Sequence, residues 1–277
     1  MNTKKLLFPK RSLGQNFLIS PSVVKRIVSA CGLKSPDTVL EIGPGKGALT
    51  KALSEKVHTV LAIEKDLRLA EHLKEKYRDS NIQIVHGDIL EFPLDTLPRN
   101  TKIIGNLPYN MATLIIKAVI HERARFSDFF ATVQWEYGQR LTARPGTKAY
   151  GSLSCFMQYF ADIQILFKIK NTAFWPSPKV QSCFCHFKFS EKPRWQTNNE
   201  DLLFQIIRTS FGQRRKNMGN ALSVLYGKEK ATYLLEKSKI RPQLRAENLS
   251  LKEFIVLADT AEKTLREDNR IRSLPSP

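Results

Sequence analysis

A regular alternation of strand-like and helix-like segments, which begins at Asp37, constrains the fold of this chain more than any other feature. The strand-like segments are apolar almost throughout, and helical patterns separate most of them. They cover residues 38–42, 59–64, 82–88, 102–106 and 129–135. Strands of this kind are buried on both faces, and helix-length connections are typical of parallel neighbours. The alternation therefore predicts an α/β fold, a parallel sheet with helices on both faces.

Two more strand-like segments follow, residues 163–169 and 180–189, with no helix between them. This pair suits an antiparallel hairpin that finishes the sheet. Residues 190–201 are polar and contain Pro and Asn, as linkers do. We therefore expect two domains, a catalytic domain over residues 1–190 and a smaller domain over residues 200–277.

The smaller domain has helical periodicity and a dense basic composition. Ser250 and Glu253 have the spacing of a capping box at the start of a helix. Arg214, Arg215 and Lys216 form a run of three cations. The pattern predicts an all-α domain that binds RNA through this run.

The charge balance indicates a polyanionic partner. Lys and Arg total 44 against 26 Asp and Glu, which leaves a formal net charge of +18. Part of the excess lies in the amino-terminal arm, at Lys4, Lys5, Lys10 and Arg11. An excess of this size favours nucleic acid. No apolar run approaches the roughly 18 to 20 residues that a spanning helix needs, so a membrane partner is not expected.

The four cysteines predict neither a disulfide framework nor a zinc ribbon, because none forms a C-x-x-C pair. Cys183, Cys185 and His186 are conceivable metal ligands. Alternation on a strand would, however, point both thiols to one face. The favoured interpretation is that Cys183 and Cys185 are small side chains buried in the core and not metal ligands. No metal site is predicted, and reduced thiols fit a cytoplasmic protein.

A glycine-rich turn, Glu41–Gly47, stands between the first strand and the first helix of the alternation. Gly43 and Gly45 let the backbone turn tightly and approach a ligand closely. Glu64 ends the next strand, about twenty residues on, where a carboxylate grips ribose hydroxyls in nucleotide-binding α/β folds. With Ala48 the turn also satisfies the relaxed dinucleotide fingerprint, so a nicotinamide-dependent dehydrogenase is one alternative.

The ends of the third and fourth strands favour an amino methyltransferase instead. Asp88 is placed to bind the exocyclic amine of an adenine. The Asn106 side-chain oxygen and the Leu107 carbonyl can accept both hydrogens of an exocyclic amine and aim its lone pair at a methyl donor. Pro108 makes that carbonyl rigid, and the Tyr109 ring can lie against the base. Such catalysis is largely positioning and requires no strong general base.

Seven motifs together resemble one family, the ribosomal RNA adenine N6,N6-dimethyltransferases, and within it the bacterial small-subunit group associated with kasugamycin sensitivity. They are LGQNFL (13–18), EIGPGKGALT (41–50), IEKD (63–66), GDIL (87–90), GNLPYN (105–110), AFWPSPKVQS (173–182) and RAENLS (245–250). The resemblance runs from about Ser12 to Leu257. It implies a Rossmann-like methyltransferase sheet and the cofactor S-adenosyl-L-methionine.

The resemblance also implies site residues and a substrate. The implied cofactor contacts are Asn16, Leu18, Gly43, Glu64, Asp88 and Asn106. Phe174 matches an aromatic residue that faces the target base opposite Tyr109, as chemistry on a flipped base requires. Trp175, which follows it, is a bulky departure from the family pattern. The implied substrate is a pair of adjacent adenines in a loop near the 3′ end of 16S rRNA, in the small ribosomal subunit or its precursor, and we expect a monomer.

Two further alternatives remain open at the level of sequence. A large-subunit rRNA adenine methyltransferase of the antibiotic-resistance type shares the catalytic motifs. A non-catalytic nucleic-acid-binding factor shares the fold, but Glu64, Asp88 and Asn106 argue against an inactive site.

Overall fold

The computed structural model describes residues 7–189, 195–213 and 215–272. Residues 190–194 of the predicted linker lie outside this range, as do Lys4, Lys5 and Arg214. The strands are β1 (Phe17–Leu18), β2 (Thr38–Ile42), β3 (Thr59–Glu64), β4 (Ile82–His86), β5 (Thr101–Asn106), β6 (Phe126–Gln134), β7 (Asp162–Ile169), β8 (Phe174–Trp175) and β9 (Ser182–Lys188).

The α-helices of the described residues follow the same alternation along the first half of the chain. They are α1 (Pro21–Ala30), α2 (Ala48–Ser54), α3 (Leu67–Lys76), α4 (Ala112–His121), α5 (Trp135–Leu141), α6 (Ser152–Phe160), α7 (Glu200–Gly212), α8 (Met218–Tyr226), α9 (Lys228–Lys237) and α10 (Leu251–Arg272). None of these helices is both long and apolar enough to cross a membrane.

Seven strands form one sheet in the order β4-β3-β2-β5-β6-β9-β7. The first five are parallel, and β9 and β7 add two antiparallel strands at one edge. The predicted antiparallel pair at the end of the sheet is therefore confirmed. The order reverses at β2, whose neighbours are β3 and β5, and ligands of open α/β sheets bind at such a switch point.

Strand β2 shows why the sheet needs helices on both faces. Val39, Leu40 and Ile42 are each no more than 2% exposed. Because neighbouring residues of a strand point to opposite faces, both faces of β2 are covered. Val39 joins a hydrophobic cluster with Ile27 of α1 and Leu53 of α2. The α/β fold predicted from the apolar strands is thus confirmed.

Contacts divide the chain into two compact units, residues 1–138 with 161–191, and residues 139–160 with 192–277. The described residues of the second unit are helices and turns without a strand. The sequence predicted one domain over residues 1–190 and another over residues 200–277. The observed division differs because residues 139–160 group with the carboxyl-terminal helices.

The physical reason is a shared hydrophobic cluster in the second unit. The Phe156 ring of α6 lies 5.0 Å from the Phe204 ring of α7, centroid to centroid. The Tyr159 hydroxyl donates to the Glu200 carboxylate across 3.0 Å. The residues of α6 therefore stabilise a core that the preceding strands do not share.

The capping box predicted from Ser250 and Glu253 is confirmed at the start of α10. The Ser250 backbone N–H donates to the Glu253 carboxylate across 2.7 Å, and the Glu253 N–H donates to the Ser250 hydroxyl across 3.3 Å. Both contacts satisfy backbone donors that have no partner within the helix.

Candidate active site

A cavity lies at the carboxyl ends of β2, β3, β4 and β5, in the first unit. Most of the predicted site residues line it together. They are Asn16, Leu18, Gly43, Gly45, Glu64, Asp88, Asn106 and Pro108. Residues more than ninety positions apart thus meet at one end of the sheet, at the switch point of its strand order.

The glycine turn forms one wall of this cavity. Gly43 has φ +68° and Gly45 has φ +58°, backbone conformations that L side chains rarely adopt. A Cβ at Gly45 would lie 2.9 Å from Cδ1 of the Phe17 ring, which also lines the cavity. Both the backbone conformation and this ring therefore require glycine at position 45.

Glu64 connects the turn to the end of β3. Its Oε2 accepts from the Gly45 N–H across 3.0 Å, and its Oε1 accepts from the Asp66 N–H across 2.8 Å. The side chain is buried, and this burial raises its pKa although the backbone N–H groups act in the opposite direction. Each carboxylate oxygen can accept a second hydrogen bond, so the group can still bind a ligand hydroxyl.

Glu41 is a site residue that the sequence analysis did not single out. It is 1% exposed on β2, lines the cavity, and its Oε2 has no hydrogen-bond partner among the described residues. Burial raises the pKa of its carboxyl to about 8, although the Thr50 hydroxyl acts to lower it, and the nearby Glu64 acts in the same direction as burial. An acidic residue inside an otherwise apolar strand was the available signal, because a glutamate is rarely fully buried unless it is paired.

Asp88 lies just after β4 and forms an ion pair with Lys65 at the cavity edge. Its Oδ1 accepts from the Leu90 N–H across 3.1 Å. Burial acts to raise the pKa of Asp88, but the Lys65 ammonium and the Leu90 N–H outweigh it and hold the pKa below its usual value. The carboxylate is therefore ionised and able to accept a hydrogen bond at neutral pH.

The Asn106 side chain is oriented by a contact from the distant amino-terminal segment. Its Nδ2 donates to the backbone carbonyl of Asn16 across 2.8 Å. Only the amino group of the amide can make this bond, so Oδ1 remains the acceptor. The loop that contains Asn16 therefore selects the orientation of the amide that an acceptor role requires.

The next three residues continue from the end of β5. Leu107 is buried, and its N–H donates to the Thr132 carbonyl across 3.2 Å. The Tyr109 hydroxyl lies 2.6 Å from the Ser182 hydroxyl of β9, and burial raises its pKa. Tyr109 is half-buried, and its ring is anchored at the hydroxyl by this contact.

Phe174 and Trp175 differ sharply in exposure. Phe174 is 2% exposed and packs in a hydrophobic cluster with Leu18 and Ile27. It is not among the described residues that line the cavity. Trp175 is 37% exposed and stacks on Phe17, with the ring centroids 6.2 Å apart.

The predicted basic run belongs to the second unit, between α7 and α8. Arg215 and Lys216 are exposed, and neither forms an ion pair with a described carboxylate.

Cys183 and Cys185 are fully buried, as alternation on a strand predicted. Within residues 7–189, 195–213 and 215–272, no three His, Cys, Asp or Glu side chains are grouped to hold a metal ion.

Comparisons with known proteins agree with this arrangement. The family model described as Ribosomal RNA adenine dimethylase matches residues 8–263. A protein from Pelotomaculum thermopropionicum, named Ribosomal RNA small subunit methyltransferase A, is 37% identical over 268 residues, 91% of each chain. A protein of the same name from Moorella thermoacetica is 37% identical over 273 residues, 94% of each chain.

A solved structure extends the likeness to the fold. The crystal structure of a dimethyladenosine transferase from Plasmodium falciparum matches with a TM-score of 0.77 and 24% identity, over 92% of this chain and 98% of that one. The match supports the predicted methyltransferase fold. The family match over residues 8–263, together with 37% identity across most of the chain, shows that this protein belongs to the ribosomal RNA adenine dimethylase family, a family of rRNA adenine methyltransferases, as its motifs predicted.

Proposed function

We propose that this protein dimethylates N6 of two adjacent adenines in a loop near the 3′ end of small-subunit rRNA, with S-adenosyl-L-methionine as methyl donor. Membership of the rRNA adenine dimethylase family supports the reaction. The names of the relatives at 37% identity favour the small subunit over the large one. Family membership also argues against the dehydrogenase alternative.

The orientation of the Asn106 amide is the observation that carries the proposal. The Nδ2 of Asn106 is held by the Asn16 carbonyl, 2.8 Å away, at the rim of the cavity. An exocyclic aromatic amine is a poor nucleophile because its lone pair is delocalised into the ring. With Oδ1 of Asn106 and the Leu107 carbonyl as acceptors, the amine hydrogens are held so that the lone pair points out of the ring plane. The chain contributes mainly this positioning.

The residues of the cavity fit the proposed cofactor. Gly43 and Gly45 leave room for close approach, and Glu64 has acceptor capacity for ribose hydroxyls. Asp88 would bind the exocyclic amine of the cofactor's adenine. The buried carboxyl of Glu41, whose Oε2 has no hydrogen-bond partner among the described residues, is a further polar group in the same cavity. When bound, S-adenosyl-L-methionine supplies an electrophilic methyl group.

Tyr109 and Ser182 give the first prediction. Replacing Ser182 by alanine removes the partner of the Tyr109 hydroxyl, and we expect kcat/KM for methyl transfer to fall by about 5- to 10-fold, the scale of one hydrogen bond. Cofactor affinity should stay unchanged, because neither residue is among those that line the cavity. Steady-state kinetics and cofactor calorimetry measure the two quantities.

Tyr109→Phe provides the matched comparison, since it removes the same hydrogen bond by deleting the Tyr109 hydroxyl while Ser182 stays in place. If the hydroxyl contact is what positions the ring, the double variant should be no worse than either single variant. Additive losses in the double variant would mean that the two residues act independently.

The proposal is tested with small subunits that lack the modification. Incubation with labelled S-adenosyl-L-methionine should transfer label to the small-subunit rRNA, and mapping should place it on two adjacent adenines. Large subunits serve as the second substrate in the same assay. Label in large-subunit rRNA alone would overturn the proposal in favour of the antibiotic-resistance type of enzyme, and label in neither would favour a non-catalytic RNA-binding factor.

We further propose that the basic run of the second unit binds the rRNA backbone of the particle, with the protein acting as a cytoplasmic monomer. Arg215 and Lys216 are exposed cations without a carboxylate partner among the described residues, next to the undescribed Arg214. The net charge of +18 favours such a partner.

The second prediction follows from counterion release. Replacing Arg214, Arg215 and Lys216 by alanine should weaken binding to small subunits and flatten its dependence on the logarithm of salt concentration by up to about three units of slope. Affinity for S-adenosyl-L-methionine should not change, because the cavity lies in the first unit. Particle binding is measured over a salt series, beside cofactor calorimetry.

Lys51, Lys56 and Lys74 provide a charge-matched control, because they are exposed lysines of the first unit. Replacing these three by alanine removes the same formal charge. Equal flattening of the salt slope by both triple variants would attribute the effect to net charge and not to the basic run.

A further inference from the structure

The two-stranded ribbon of β1 and β8 connects the core of the first unit to the cavity. Leu18 is paired with Phe174, and both pack in the hydrophobic cluster of the first unit, where Leu18 also reaches the cavity lining. Phe17 is paired with Trp175 and points the other way. The Phe17 ring lines the cavity beside Gly45, and Trp175 stacks over it at an interplanar angle of 27°.

Phe8 and Lys46 complete a group that we call the aromatic rim, formed by Phe8, Phe17, Trp175 and Lys46. The Phe8 ring lies 6.1 Å from the Trp175 ring, centroid to centroid. The Lys46 ammonium lies 4.5 Å from the Trp175 ring centroid and 5.2 Å from that of Phe17. Lys46 itself lines the cavity. The rim therefore borders the cavity that we assign to the cofactor.

The aromatic rim is held in place by contacts of the amino-terminal arm. The Arg68 guanidinium donates to the Phe8 carbonyl across 3.3 Å. Two residues on, the Lys10 ammonium lies 3.2 Å from the Asp66 carboxylate, which is buried. Arg68 also donates to that carboxylate. The arm that carries Phe8 is thus anchored to α3 before any ligand arrives, which lowers the entropic cost of binding.

Phe8, Trp175 and Lys46 are too exposed to serve only in core packing. Phe8 is 57% exposed and Trp175 is 37% exposed. Lys46 is exposed and forms no ion pair with a carboxylate of the described residues. Two exposed rings beside an ammonium without a carboxylate partner among the described residues offer a stacking surface and a cation at one place. That combination is complementary to a nucleotide, which presents an aromatic face and a phosphate.

We propose that the aromatic rim binds a nucleotide of the single-stranded RNA that flanks the target adenine. The base stacks on the exposed surface of Trp175 and Phe8, and Lys46 binds the adjacent phosphate. This inference rests on the proposed function, because it takes the flanking nucleotide from the same rRNA loop. It gives Trp175, the bulky departure from the family pattern, a role in seating the substrate.

The test combines binding and turnover. For Trp175→Ala we expect the dissociation constant of a single-stranded oligoribonucleotide, and the KM for unmodified small subunits, to rise by at least about fivefold, as loss of one stacked base implies. We expect kcat and the cofactor dissociation constant to stay within about twofold. Trp175→Phe retains a ring and should recover most of the loss.

Tryptophan fluorescence distinguishes direct contact between Trp175 and a base from a purely structural role of Trp175, because only direct contact changes the emission when RNA binds. The chain contains three tryptophans, and the variant W135F/W195F leaves Trp175 as the sole tryptophan, which can be excited selectively over the tyrosines. Its emission should be quenched when the oligoribonucleotide stacks on the ring. Tyr233→Ala is the matched control, because Tyr233 is a 44% exposed ring of the second unit with the Lys237 ammonium 5.5 Å from its centroid.

The outcomes separate this inference from the proposed function. If the wild type methylates small subunits but Trp175→Ala has an unchanged KM and Trp175 emission is not quenched, the rim is not a nucleotide site. An equal loss in Tyr233→Ala would also overturn it, because any exposed ring would then do the same. If the wild type methylates no rRNA, the proposed function fails, and quenching of Trp175 by the oligoribonucleotide still decides whether the rim binds a nucleotide.

Discussion

Replacing Asn106 by alanine is expected to lower kcat for methyl transfer by about 10²- to 10³-fold, the scale seen when one preorganised hydrogen-bonding group is removed from an active site. The reason is that Oδ1 of Asn106 is held as an acceptor by the bond between Nδ2 and the Asn16 carbonyl. Alanine leaves the amine of the target base without the contact that directs its lone pair. The measurement is single-turnover methyl transfer to unmodified small subunits at saturating cofactor.

Asn81→Ala is the control for a general effect of losing an amide that donates to backbone carbonyls. Asn81 Nδ2 also donates to backbone carbonyls, those of Ser54 and Val57, at 3.0 and 2.9 Å, but Asn81 does not line the cavity. This variant should lose stability yet keep its turnover per folded molecule. Turnover by Asn106→Ala within tenfold of the wild type would rule out orientation of the amine as the main source of catalysis.

Replacing Glu64 by alanine is expected to raise the dissociation constant for S-adenosyl-L-methionine by about 10- to 150-fold, or about 1.5–3 kcal/mol. Two losses add. The ribose loses a charged acceptor, and the glycine turn loses the bond from the Gly45 N–H to Oε2 that fixes its shape. Isothermal titration calorimetry measures the affinity, and thermal unfolding of the cofactor-free protein reports on the turn separately.

Glu64→Gln divides the effect between the two losses. Glutamine keeps one oxygen acceptor, which can accept from the Gly45 N–H of the turn, while its amino group faces the Asp66 N–H and the charge is lost. We expect an affinity between those of the wild type and Glu64→Ala. Glu71 is an exposed acid on α3, so Glu71→Ala controls for the loss of one negative charge. This variant should bind the cofactor as the wild type does. An unchanged affinity in Glu64→Ala would remove this residue from the cofactor site.

Local sequence determined the sheet, because its signals act over a few residues. The bounds of β2 and β3 agree with the apolar runs 38–42 and 59–64. Asp66 begins α3 as its cap, and its side chain accepts from the Arg68 N–H. Where propensity, periodicity and capping agree, tertiary packing has nothing to override.

The residues at the ends of parallel strands were also predictable as a group. Parallel strands place their carboxyl ends at one edge of a sheet, so Gly43, Glu64, Asp88 and Asn106 had to converge once the fold was assigned. Sequence motifs therefore located the cavity. They did not locate the hydrogen bonds within it, because those depend on which distant segment reaches each side chain.

Only the tertiary structure decided the roles of neighbouring aromatic residues and of the helix α6. Phe174 and Trp175 are adjacent in sequence, yet the antiparallel pairing with β1 turns one ring into the core and the other to the surface. Residues 139–160 lie between segments of the first unit in sequence, but the cluster around Phe204 draws α6 into the second unit. Likewise the Asn16 carbonyl reaches Asn106 from ninety positions away. Strand and helix formation is settled by near neighbours, whereas burial and contact are settled by which surfaces meet when the chain folds.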